Sequence, residues 1–329
     1  MIHKEVIRKI ANYILQNADN IIRTGLYDGK AGLSLSLFIA SEYLQDEHME
    51  DIAHDLLQEA LIIRNSDINF ENGLAGVGYS LLYLIENNYL EADFDEIYGI
   101  QYEAIIENIE NIENDPLRLI NSLQTVYFLC YAKRIKKDDE RITKIIKMII
   151  EGLELFLLVQ FHDFYDIRCI FKKTDILNVY KRYLQLIDYL NYIDFSRILL
   201  DDYAALHKKR RIISSLEIGY YLSKITAKYN INEHESTIND NIFNSINNIY
   251  LDTLSLKERI DYSKILNCIN YNGVSEYNIL PKIESFLKVK DNLIQNLLTT
   301  VDEKSFLFGY GGGLGRLLIY YINNKTELL

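Results

Sequence analysis

The chain has 329 residues, 49% of them hydrophobic, with 35 Lys and Arg against 47 Asp and Glu. That apolar share builds a sizeable core and excludes intrinsic disorder. A formal charge of −12 repels nucleic-acid phosphates and anionic membrane surfaces, so nucleic acid is not an expected partner and a neutral or basic one, such as a peptide, fits better.

The first predicted element is a helix over "MIHKEVIRKIANYILQ", with Ile7, Ile10, Ala11, Ile14 and Leu15 at helical spacing. Charges interrupt its apolar run, and no window of about 18 uncharged apolar residues suggests a membrane span or a targeting segment. Cys130, Cys169 and Cys268 are odd in number and far apart, with no CxxC pair. Reduced thiols in a cytoplasmic protein are the expectation. Pro116 and Pro281 are the only prolines and no Gly/Ser-rich linker occurs, which predicts a nearly all-helical single domain over residues 1–329.

"GLYDGKAGLSLSL" then places Gly25, Gly29 and Gly32 before an apolar helix. A nucleotide-binding P-loop would need a Lys-Ser/Thr pair that is missing here. The pattern returns. "NGLAGVGYSLLYL" puts Gly73 and Gly76 in the places of Gly29 and Gly32, and "FGYGGGLGRLLIYY" puts Gly309 and Gly312 there. The separation 309 − 29 = 280 divides into six steps of roughly 47 residues, the size of a two-helix repeat. Degenerate copies are then expected near positions 122, 169, 216 and 262, in "NSLQTVYFLCYA", "RCIFKKTDIL", "SSLEIGYYLSKI" and "DYSKILNCI". Only the third keeps a glycine, Gly219. Seven such helix pairs can close into a ring. The glycines are read as shaping turns and letting backbones approach at the start of each inner helix.

Between these motifs, "KKDDER" (Lys136 to Arg141) is read as a helix-start cap. "FHDFYD" sets His162 beside Asp163 and Asp166, and a histidine next to carboxylates suits proton transfer. "HKKRR" gives the dense basic cluster Lys208, Lys209, Arg210 and Arg211, a candidate rim for an acidic leader peptide or else a solvated helix end. The 26 tyrosines, Tyr79, Tyr83, Tyr220 and Tyr221 among them, serve mostly packing and are candidates for a groove lining. No serine-hydrolase elbow, paired-cysteine zinc ribbon or complete dinucleotide-binding motif is present.

The three glycine-rich segments resemble the repeats of the lanthionine synthetase C-like (LanC) family, whose fold is an α/α toroid of seven helix pairs. The resemblance implies modification of a ribosomally made peptide. Bacterial members add a cysteine thiol across a dehydrated Ser or Thr, with a zinc ion that deprotonates the thiol. It also implies zinc ligands at a cysteine in the fifth repeat and a Cys-His pair in the sixth, and a proton-handling histidine near the fourth, where His162 lies. In register, the fifth-repeat cysteine is replaced by Ser214 and the pair falls near Ile260 and Asp261. Neither serine nor isoleucine is an adequate zinc ligand. Zinc is therefore disfavoured, with Cys268 the one weak metal candidate. The expected role is a degenerate cyclase that binds the precursor peptide or a partner such as a dehydratase. An active metal-dependent lanthionine cyclase and a carbohydrate-active helical-toroid enzyme are the alternatives.

Overall fold

A computed structural model describes residues 2–62, 67–112, 115–164, 172–231, 233–250, 253–269, 288 and 307–322. All regular structure among them is helical: α1 (Ile2–Leu15), α2 (Lys30–Leu44), α3 (Glu47–Ile62), α4 (Leu74–Glu86), α5 (Phe94–Glu110), α6 (Pro116–Ser122), α7 (Thr125–Ile135), α8 (Glu140–His162), α9 (Lys173–Leu190), α10 (Arg197–Lys208), α11 (Leu216–Lys228), α12 (Glu235–Asn247), α13 (Leu256–Cys268) and α14 (Leu314–Ile322). No helix is long and apolar enough among the described residues to cross a membrane.

The helices alternate in character. In α2 every residue from Ala31 to Ser41 is buried, as is Leu44, and a helix that is apolar all round belongs in an interior. Its serines are satisfied locally: Ser34 Oγ donates to the Ala53 carbonyl at 2.7 Å and Ser36 Oγ to the Gly32 carbonyl at 2.8 Å. By contrast α3 buries one stripe, Met49, Ala53, Leu56, Leu57 and Ala60, and covers α2 from outside. The same inner and outer pairing recurs in α4 and α5, where Phe94, Tyr98, Tyr102, Ile105 and Ile109 form the buried stripe.

The chain divides into two compact units. In the first (Met1–Asn111, Gln124–Ile142 and Thr253–Leu329), α2 packs against α14 on one side and α4 on the other, α4 continues to α7, and α1 packs against α14 and α2. The last described helix thus lies beside the first inner one. In the second unit (Ile112–Leu123 and Thr143–Asp252), α11 packs against α9 and α12, and α12 against α10. Glu154 ties this unit together by accepting from Tyr183 Oη at 2.5 Å and from the Ser196 N–H at 2.9 Å.

Helix starts test the repeat arithmetic. The inner helices that follow glycine turns begin at Lys30, Leu74 and Leu314, and α7, α9 and α11 begin at Thr125, Lys173 and Leu216. These fall within three or four residues of the positions expected near 122, 169 and 216. The site near 262 does not begin a helix: Asp261 lies in the middle of α13.

Candidate functional site: the glycine turns and the mouth they form

The glycine turns share one backbone construction. The N–H of the first helical residue reaches back seven positions, Lys30 to the Arg23 carbonyl at 2.9 Å and Leu74 to the Asp67 carbonyl at 2.8 Å. Gly29 and Gly73 have φ of −133 and −106, ordinary extended values, so the turn needs no left-handed residue. It needs the absence of a Cβ. A methyl on Gly29 would lie 2.3 Å from the Gly25 nitrogen, on Gly73 2.6 Å from the Asn69 nitrogen, and on Gly313 2.7 Å from the Gly309 nitrogen.

That agreement corrects the register at the C-terminal motif. The partners of Gly25 and Gly29 are Gly309 and Gly313, not Gly309 and Gly312 as fourth-position matches to Gly29 and Gly32. A Cβ on Gly312 would meet only Lys257 Cβ at 3.6 Å, an ordinary contact, whereas Gly309 closes against the Tyr27 carbonyl at 2.0 Å from such an atom. The reading frame slipped because three consecutive glycines, Gly311 to Gly313, give a sequence comparison no way to choose among them.

In the corrected register the turns form a ladder. Gly311 N–H donates to the Tyr27 carbonyl at 2.9 Å, and Tyr27 N–H to the Glu71 carbonyl at 2.7 Å; these are the same position in successive turns. A Cβ on Gly32 would strike Tyr310 Cβ at 2.7 Å, and one on Gly76 would strike Leu26 Cβ at 2.8 Å. One turn's apolar residue therefore fills the hollow that the next helix leaves by having glycine. At the third step the hollow is occupied, and the Phe70 and Tyr127 rings pack with centroids 6.0 Å apart.

Polar side chains line this end of the first unit. Asp28 N–H donates to Asn72 Oδ1 at 3.0 Å, Asn72 Nδ2 to Asp28 Oδ2 at 3.2 Å, and Gln124 Nε2 to Tyr27 Oη at 2.8 Å. Arg316 stands where the other two motifs have Gly32 and Gly76, the third residue after the turn's last glycine. It is 2% exposed and pairs with Asp261 of α13 at 2.6 Å. Burial works against its charge, and Asp261 more than restores it. Such a guanidinium is a fixed positive donor, suited to holding an anionic or carbonyl group and not to moving a proton. The sequence motif does not single out Arg316, because the register matched Gly312 and not Arg316 to Gly32 and Gly76.

The residues singled out from sequence fall in different places. His162 ends α8 with its side chain 87% exposed and its Nδ1 2.8 Å from Asp163 Oδ1, while Asp166 lies outside the described residues. Lys208, Lys209, Arg210 and Arg211 are exposed at the end of α10 and in the turn after it, where Arg210 takes the left-handed conformation at φ 52. Cys268 is exposed at the end of α13, and Cys130 is a partly buried thiol whose pKa burial pushes up to about 12. Asp139 of "KKDDER" caps α8 by accepting from the Arg141 N–H at 3.0 Å.

Ser214, at the fifth-repeat ligand position, accepts or donates across 3.0 Å to His207 Nε2. Burial lowers the His207 pKa, so the ring stays neutral. The helix after it is pinned not by a glycine turn but by Asn241, whose Oδ1 takes the Ser215 N–H at 3.0 Å. Near 260, where the sixth-repeat pair is expected but where the chain is inside α13 and not at a helix start, Ile260 is fully buried and Asp261 is committed to Arg316. No group of three or more His, Cys, Asp and Glu that could hold a metal occurs among the described residues. The sequence contains no adjacent Cys-His pair: Cys130, Cys169 and Cys268 are followed by Tyr131, Ile170 and Ile269. The pair in the family's Cys2His zinc set therefore has no counterpart in this sequence.

Helix pairs whose inner members start in interlocking glycine turns define a helical repeat protein. Residues 20–168, which include the first two turns, match the family model of lanthionine synthetase C-like proteins, and this supports the chain as a LanC-like family member. No curated protein and no solved structure matches the chain.

Proposed function

We propose that this LanC-like protein takes part in modifying a ribosomally synthesised peptide, binding the peptide or a partner modification enzyme in the cytoplasm without Cys2His zinc chemistry. The observation that carries this reading is a combination: the interlocked glycine turns are present, while the sequence contains no adjacent Cys-His pair and Ser214 stands ahead of α11 where the fifth-repeat cysteine is expected. Turns without those ligands fit a scaffold for binding. An acidic leader peptide suits the exposed Lys208 to Arg211 cluster, whose charge opposes that of the chain as a whole. Carbohydrate hydrolysis finds less support, because it needs two facing carboxylates and the roomiest cleft described for the first unit has one, Glu42.

The test uses a synthetic peptide with an acidic N-terminal stretch, one dehydroalanine and one cysteine. The expected result is saturable binding that weakens about tenfold when Lys208, Lys209, Arg210 and Arg211 are changed to Gln, with the peptide thiol still free to alkylation by mass spectrometry. Thioether closure well above the uncatalysed rate would overturn the binding-only part. No binding at all would overturn the peptide-handling part.

A further inference from the structure

The far ends of the same inner helices carry a second feature. The last turns of α2 and α4, with Ile319 and Ile322 of α14, surround a cleft of about 360 Å³, within the size range of small-ligand sites. Glu42 supplies its carboxylate, Tyr43, Tyr83 and Tyr89 its aromatic surface, and Ile39, Ile319 and Ile322 its apolar surface. We propose that this cleft binds an alkylammonium group of side-chain size, as in a lysine, with Glu42 as counter-charge and the tyrosines as an aromatic wall.

Four observations carry it. First, no Lys or Arg among the described residues lines the cleft, and Glu42 accepts a hydrogen bond from the Tyr89 hydroxyl there. Second, the cleft collects the C-terminal ends of α2 and α4, each the negative end of a macrodipole, so the site's fixed field favours a positive ligand. Third, a ring next to the cleft already carries a cation in this manner: Tyr131, outside the cleft lining, lies 6.0 Å from the Tyr83 ring, and the Arg134 guanidinium sits 4.5 Å over Tyr131. Fourth, burial raises the hydroxyl pKa of Tyr83 and Tyr89, and Glu42 raises both further. Tyr83 and Tyr89 therefore stay neutral, and Glu42 is the one charged side chain among the described residues that line the cleft.

The ligand class follows from that inventory. A hard metal ion needs several oxygen ligands, most of them charged, which one carboxylate and neutral phenols do not supply. An ammonium needs one counter-charge and π faces, and its methylene stem finds the three isoleucines. The inference is independent of peptide modification, because the cleft lies at the other end of the helices from the glycine turns.

The experiment titrates Nα-acetyl-lysine methylamide into the full chain by ligand-observed NMR, beside the same compound acetylated on its ε-nitrogen. Saturable binding with a Kd of about 1–10 mM is expected, at least tenfold weaker for the neutral analogue, for Glu42→Gln and for Tyr83→Leu. Glu42 is exposed, so the Gln variant keeps the fold, and an unchanged melting temperature verifies it. Equal binding of the neutral analogue, equal binding by Glu42→Gln, or no saturable binding up to about 20 mM overturns the proposal.

Discussion

At the scale of single residues, two kinds of glycine stand apart. Gly29 is crowded by the Gly25 and Thr24 backbone, whereas Gly99, inside α5, has nothing within 4 Å of where a Cβ would go. Gly29→Ala should cost about 2–3 kcal/mol because backbone atoms cannot yield as side chains do, and Gly99→Ala should gain about 0.5–1 kcal/mol from helix propensity. Urea denaturation of the two variants checks both signs. Asp139 offers a pH test: hydrogen bonds from Arg141, then from Tyr102, hold its carboxyl down to about 2. A depressed carboxylate stabilises the fold above its unfolded value of about 3.9 and loses that contribution as pH falls toward 2. Asp139→Asn is therefore expected to lower stability by about 1–2 kcal/mol at pH 7, part of the gain being screened by solvent, and to flatten the loss of stability between about pH 4 and 2, as read from melting temperatures.

At the scale of elements, α13 and α14 are joined by the Arg316 and Asp261 pair and by Ser263 Oγ with Tyr320 Oη at 2.8 Å. Removing one member of a buried ion pair strands the other, so Asp261→Asn should destabilise by about 3–5 kcal/mol. The double change Asp261→Leu with Arg316→Met should recover most of that loss, and denaturation of the single and double variants decides it. Much of this layer was legible in the sequence. The spacing of Ile7, Ile10, Ala11 and Ile14 reads directly as a helix, and the 47-residue step places the starts of α7, α9 and α11 closely. What was not legible has physical causes. The glycine run Gly311 to Gly313 hides its own register, since only the backbone contact of Gly313 with Gly309 picks the right one. The sixth step is misplaced by equal spacing: its expected position falls inside α13 and not at a helix start. Arg316 and Glu42 escaped because their roles depend on partners 55 and 47 residues away, Asp261 and Tyr89, and no local pattern records those.

At the scale of the whole molecule, the first unit joins the beginning and the end of the chain. Gly311 bonds to the Tyr27 carbonyl and Tyr27 to Glu71, so the last glycine turn is read into the first and the first into the second. A fold that uses residues 307–322 to complete its first helices makes truncation costly: removal of the chain from residue 307 onward should expose the Gly32 hollow that Tyr310 fills and the α2 face that α14 covers. Loss of cooperative unfolding in that truncated chain is the expected outcome.

The most direct measurement is the zinc content of the purified, tag-free protein and of its Cys268→Ala variant by elemental mass spectrometry. A chain that handles peptides without a thiolate and imidazole centre should carry far less than one zinc per molecule, with no difference between the two proteins. One zinc per chain that disappears in Cys268→Ala would contradict the reading of the ligand positions and restore a thiol-activating cyclase.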